Sequence, residues 1–266
     1  TNAVSGQAVV IGGFGLNIQA SNCVVRGLAI NRFQQFPSFG GNGVGIGMFL
    51  GTHAWIYGNH IGVDASGTVD LGNAQIGIWI GAGSTNNTIG TNADGINDAA
   101  EGNIISGNDF GSGILVQSNN NTIAGNFIGT DITGTTAIRN DRHGVEIQDG
   151  SGNIIGGATP ASRNLISGNG ATGIAITGVG STNTMVKGNY IGTNATGTGI
   201  LGNGNWGVLI EAGATNTAIG TLSPGEGNII AGNSIDGVSI AGFLGAGTGS
   251  NSVAGNVLSA NGGSGV

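Results

Sequence analysis

Apolar residues in this chain come in short words and never in long stripes. Val145-Glu146-Ile147 and Val238-Ser239-Ile240 alternate apolar and other positions and then stop at polar residues or glycine. That is the period of a strand with one buried face. No window sustains the 3.6-residue spacing of an amphipathic helix, so helix is excluded as the building block. The words themselves recur. An Asn-Thr-Ile-like triplet begins at Asn87, Asn121, Asn153, Asn183, Asn216 and Asn251, with weaker copies at Asn22 and near Thr52. A Gly-apolar-x-apolar word begins at Gly43, Gly77, Gly113, Gly144, Gly173, Gly207 and Gly237. A fixed period of roughly 30 residues marks a solenoid, whose repeats bury their apolar residues only against one another. The pattern predicts an all-β, single-stranded parallel β-helix over residues 1–266, with about eight coils of three short strands each.

The 58 glycines then serve corners that need positive φ, with Asn the next most tolerant residue. Asn recurring at one place in successive coils can also stack, each amide bonding to the next. The six triplet asparagines, Asn87, Asn121, Asn153, Asn183, Asn216 and Asn251, are expected to form such a ladder. A two-coil repeat lies over the short one. Asn59-His60-Ile61-Gly62-Val63-Asp64-Ala65-Ser66-Gly67-Thr68 returns at 126–135 and 189–198, and the alternate coils carry Asn103-Ile104-Ile105-Ser106-Gly107-Asn108, matched at 164–169 and 228–233. Long loops should therefore leave odd and even coils at different corners. Asp64, Asp131 and Asn194 within the first word read as Asx turns that close the loop without a metal.

These words resemble the right-handed parallel β-helix repeat proteins of bacterial surfaces and secretions, in the pectate-lyase-like superfamily. The resemblance covers roughly residues 20–266. It implies the fold, its hand, which is also the usual hand of parallel crossovers, and an extracellular or cell-surface setting.

With 13 acidic and 6 basic residues the chain carries a formal charge of −7. It lacks the Lys and Arg cluster that a nucleic-acid surface needs. No apolar run approaches a membrane span. Only 7% of residues are charged, so Asn, Ser, Thr and Gly must keep the surface wet. Cys23 has no partner for a disulfide and reads as a small core hydrophobe. Val9-Val10-Ile11 reads as strand, and Gly262-Gly263-Ser264-Gly265-Val266 reads as the opening of another strand. The expectation is a stretch of a longer β-helix or a subunit that stacks end to end.

Chemistry belongs to the outward positions, since the repeat commits the inward ones to the core. Reading the outward position of the glycine word coil by coil gives Gly45, Trp79, Leu115, Glu146, Ala175, Leu209 and Ser239; the residue before the glycine gives Asn42, Ile76, Ser112, His143, Thr172, Trp206 and Asp236. Trp79, Leu115, Trp206 and Leu209 form a partly apolar binding strip that suits a covering loop, a partner chain or sugar rings. The richest polar cluster is the 139–149 stretch. Its Arg142, His143, Asp141, Glu146 and Asp149 could serve proton abstraction beside a carboxylate, or could simply be a salt-bridge patch. Asp94, Asp98 and Glu101 share an acidic loop and are the candidates for calcium, the one cofactor considered. No Cys-His metal signature, phosphate loop or nucleophile elbow occurs. The primary expectation is a structural or adhesive rod whose partners are copies of itself or other surface proteins. The alternatives are a polysaccharide lyase, epimerase or hydrolase, or a non-catalytic carbohydrate-binding β-helix.

Overall fold

The computed structural model describes residues 13–36, 41–241 and 247–263. The expected strand at Val9-Val10-Ile11 and the final Ser264-Gly265-Val266 lie outside them. The chain winds through three parallel sheets of eight strands each, and every strand of these sheets pairs only with its counterparts in neighbouring coils; a separate antiparallel pair joins Gln35–Phe36 to Gly41–Asn42. Apart from a single turn of 3₁₀ helix at Asp98–Ala100, the described residues contain no helix. The first sheet is built from Phe14–Ile18, Val44–Met48, Ile78–Ile80, Ile114–Val116, Val145–Gln148, Ile174–Thr177, Val208–Glu211 and Val238–Ala241. Each of its central strands sends two apolar residues inward, such as Val145 and Ile147, both fully buried.

The second and third sheets send one inward residue per strand. Ile56, Ile89, Ile123, Ile155, Val186 and Ile219 form one column, and Ile61, Ile105, Ile128, Ile166, Ile191 and Ile230 the other, all without solvent exposure. Aliphatic columns in register meet at the axis as one continuous core. Cys23 packs partly buried against that core.

Long loops alternate between corners as the two-coil repeat requires. After the third sheet they close at Val63 with Asp70, Thr130 with Ala137 and Thr193 with Ile200. Asp64, Asp131 and Asn194 each accept two backbone N–H groups of their own loop through Oδ1. The Asx-type closure therefore needs no ion. The carboxyl of Asp64 is held below the usual range by Ser66, which bonds both its oxygens.

Two readings of register need correction. Ile46 pairs with Ile78 and Met48 with Ile80, so Gly45, not Gly43, is the counterpart of Gly77. Gly47 then lies beside Trp79, and Val44, not Asn42, takes the place before the glycine. Glycines at every second position from 43 to 47 make both registers look alike, and Val44, Ile46 and Met48 are all buried; the pairing of Ile46 with Ile78 decides.

The asparagine ladder is also redistributed. Asn87, Asn121 and Asn153 do stack, with Nδ2 of one donating to Oδ1 of the next at 3.0 and 3.3 Å. The next positions are Thr184 and Thr217, and Asn251 follows. Asn183 and Asn216 sit one residue earlier, in a corner column formed by Asn22, His53, Asn86, Asn120, Gly152, Asn183, Asn216 and Ser250. All eight are left-handed, with φ between 55 and 68°. Asn has two uses here, corner and ladder, and adjacent asparagines blur them.

Two longer columns accompany the first. One runs Asn59, Asn103, Asn126, Asn164, Asn189, Asn228, Asn256. The other runs Asn73, Asn108, Asn140, Asn169, Asn203, Asn233, Asn261. Asn164 shows the unit: its Oδ1 accepts the N–H and Nδ2 of Asn126, while its Nδ2 donates to Asn189 Oδ1 and to the Ile123 carbonyl. Every buried polar site of the amide is satisfied by a neighbouring coil.

Candidate functional site

The outward column of the first sheet runs Gly47, Trp79, Leu115, Glu146, Ala175, Leu209, Ser239, as the strand pairing requires. Glu146 points away from the core yet is only 7% exposed. Its Oε2 accepts a 2.7 Å hydrogen bond from Ser112 Oγ in the coil before and lies 3.8 Å from Arg142 Nη1. The Arg142 side chain is more than half exposed. Next along the sheet, Trp79 Nε1 donates to Gln117 Oε1 at 2.8 Å, and Gln117 Nε2 donates to Gln148 Oε1 at 2.5 Å. This side-chain relay crosses three coils.

A cleft of about 260 Å³ opens here, lined by Gln75, Ile76, Phe110, Gly111, Ser112, Leu115, Arg142, Glu146 and Gln148. Glu146 is the one carboxylate in that lining. His143 follows Arg142 in the chain. Burial pushes its pKa down, Glu146 opposes the shift and Arg142 adds to it, so the imidazole is neutral at neutral pH. Its Nδ1 accepts the N–H of Thr172 at 3.4 Å.

The structure thus divides the sequence-predicted residues. Arg142, His143 and Glu146 form one group. Asp141 turns to the neighbouring corner, where Oδ1 accepts Arg139 Nε at 3.1 Å and Oδ2 accepts the N–H of Phe110 at 3.3 Å. Asp70 and Asp109 are near it, and both have raised pKa values, from burial first and then from neighbouring carboxylates. Asp149 is apart from all of these, in a left-handed corner, accepting the N–H of Gly180 in the next coil.

Of the apolar strip, Leu115 lines the cleft. Trp79 packs edge-on against Phe49, with centroids 5.2 Å apart, and near Phe14. Leu209 and Trp206 lie two coils beyond Glu146 and His143 and line no part of it.

The acidic loop does not gather its carboxylates. Glu101 is buried, taken up by Thr91 Oγ1 at 2.8 Å and the N–H of Asn92. Asp94 accepts the N–H of Ile96, and Asp98 that of Gly95. Among the described residues no three His, Cys, Asp or Glu side chains are placed to share a metal ion. Beside this loop a cleft of about 450 Å³ is lined by Arg26, Tyr57, Asn97 and Glu101, among others. Its buried carboxylate is already engaged by the loop, which makes it a weaker candidate.

Sequence reasoning missed Phe110, Gln117 and the bonding role of Ser112. Ser112 shows only once the two outward columns are read side by side. Phe110 was signalled by the uneven spacing of the glycine word around Gly113.

No protein-family model matches the chain, and no curated protein matches it. Among solved structures it is similar to a mutant of the periplasmic alginate epimerase AlgG, with TM-score 0.55 and 16% identity over 92% of this chain and 47% of that one. It is also similar to the Azotobacter vinelandii mannuronan C-5 epimerase AlgE6 A-module, with TM-score 0.44 and 17% identity over 92% and 58%. A third is the catalytic domain of a GH87 α-1,3-glucanase in complex with nigerose, with TM-score 0.33 and 12% identity over 92% and 50%. The chain spans roughly half the length of these structures. The AlgG superposition shows the fold; the other two carry no argument.

Proposed function

We propose that this chain, a parallel β-helix of the pectate-lyase-like kind, binds a polysaccharide across the Phe110–Glu146 cleft of the first sheet. One observation carries the reading: side chains from three successive coils converge on a single cleft. Arg142, Glu146 and Ser112 offer charge and hydroxyl contacts, Gln148 an amide, and Leu115 and Phe110 apolar surface. Sugar rings present this same mixture of polar edge and apolar face. A polymer laid along the rod meets a new coil about every 4.8 Å, so it can touch all three. The fold-level likeness to an alginate epimerase supports the reading by analogy, since folds host many functions. Uniform coils, which suggest a self-associating rod, suit a bound polymer equally well, and the cleft adds what a plain rod does not need.

The test is titration calorimetry with oligomers of alginate, polygalacturonate and α-1,3-glucan. One of them should bind, and Arg142→Ala and Gln148→Ala should each weaken it by about tenfold. Failure of the whole panel to bind, or unchanged affinity in both variants, would sink the reading.

Chemistry on a bound uronate is a second reading, supported by a neutral His143 beside Arg142. His143 lies beside the cleft lining and its Nδ1 accepts the N–H of Thr172, so it takes a proton from a substrate only once that 3.4 Å bond is given up; the Arg142 guanidinium can hold the adjacent carboxylate. Hydrolysis is less supported, because it calls for two carboxyl groups flanking the bond, and among the described residues Glu146 is alone in the lining. Incubation with oligomannuronate, followed by proton NMR for inverted or unsaturated residues, separates reaction from binding alone. His143→Gln should abolish any turnover while leaving affinity intact.

A further inference from the structure

We propose that Phe110 is a stacking platform for a sugar ring at the mouth of this cleft, displayed there by a one-residue insertion. The inference deepens the polysaccharide reading and rests on it. Corners that join the third amide column to the first sheet have a fixed length: Asn73 to Gly77, Asn140 to Gly144, Asn169 to Gly173, Asn203 to Gly207 and Asn233 to Gly237 are each four positions apart. Asn108 to Gly113 is five.

Backbone hydrogen bonds identify the extra residue. Asn205 N–H bonds the Ala171 carbonyl, Ala171 N–H the Arg142 carbonyl, and Arg142 N–H the Gly111 carbonyl at 3.0 Å. This column passes through Gly111 and skips Phe110. The inserted residue is left-handed, with φ +55°, a conformation that bulky side chains rarely adopt. The residue is 80% exposed. Asp141 Oδ2 from the next coil holds its N–H, bracing the bulge. An isolated exposed Phe is ordinary. An inserted, strained, exposed Phe on the rim of the cleft that holds Arg142 and Glu146 is not, and strain of this kind collects at functional sites.

Phe110→Gly separates the two roles. A structural Phe would lose stability on replacement. A platform kept for ligand should lose affinity for the oligomer that wild type binds, by about tenfold, while the melting temperature rises because Gly accepts positive φ. Phe110→Trp should retain binding. Affinity within twofold of wild type in Phe110→Gly, with Arg142→Ala and Gln148→Ala still impaired, would overturn the platform and leave the cleft standing. No binding by wild type to any of the three oligomers would overturn both.

Discussion

The asparagine at position 164 takes part in six hydrogen bonds with neighbouring coils, counting its own N–H to Asn189 Oδ1 and its carbonyl, which accepts the N–H of Tyr190. Asn164→Ala strands buried donors and acceptors on both sides, each costing about 1–3 kcal/mol. A loss of roughly 3 kcal/mol or more is expected by chemical denaturation. The converse test uses the gap in the first column, where the buried hydroxyls of Thr184 and Thr217 have no protein hydrogen-bond partner. Asn at both positions should join Asn153 to Asn251 and raise stability by about 1 kcal/mol; no gain would mean that the corner cannot seat an amide. That gap also shows what was legible. Stacking asparagines were readable from their recurrence, but not which of two adjacent asparagines turns inward, because a left-handed corner and an amide stack favour the same residue. The two longer columns were visible as words and not as ladders for the same reason. His143 supplies a pH prediction. Its folded pKa lies below the unfolded value, so the unfolded chain binds the proton more readily. The contribution is fully present above about pH 6.5 and is lost as pH falls through the depressed folded value. His143→Gln should flatten the slope of melting temperature against pH in that acidic range.

Strands here are short, and their register is enforced by the core more than by their own length. Val145 and Ile147 are fully buried, and a one-residue slip would exchange them for Glu146. Ile147→Asp places an unpaired carboxylate on the axis of the rod and should cost about 4 kcal/mol or more; a variant that melts normally in circular dichroism would contradict the assignment of that strand. The strands were legible wherever a β-branched residue marked the inward position. Their register was misread at Gly43-Val44-Gly45-Ile46-Gly47, where Val44 and Ile46 do mark the inward face but glycine at every other position makes two registers equivalent. The candidate site was half legible for a related reason. Arg142, His143 and Glu146 are neighbours in sequence and were found together. Ser112, Gln117 and Phe110 come from the preceding coil, and only the pairing of Leu115 with Glu146 brings them alongside.

Across the whole molecule, stability rests on stacked aliphatic columns and amides, and little on charge. Three ion pairs are present among the described residues. That of Lys187 with Glu226, at 2.7 Å, is well shielded, while Arg139 and Arg142 are largely exposed. Exposed pairs contribute about 0–1 kcal/mol. Melting temperatures in about 0.05 M and 0.5 M sodium chloride should therefore agree within about 3 °C; a larger drop at high salt would mean that the acidic corner at Asp70, Asp109 and Asp141 is balanced by charges more strongly than its geometry suggests.

The amide columns also determine how the rod yields to tension. A coil pulled from the stack must break its carboxamide bonds to the next coil together with three short strands, and the coil beneath then presents the same resistance. Stretching by the two termini should give an evenly spaced sawtooth, each tooth releasing roughly 30 residues, about 100 Å of extended backbone. The teeth that free the coils between Asn153 and Asn251, where Thr184 and Thr217 interrupt one column, should be the weakest.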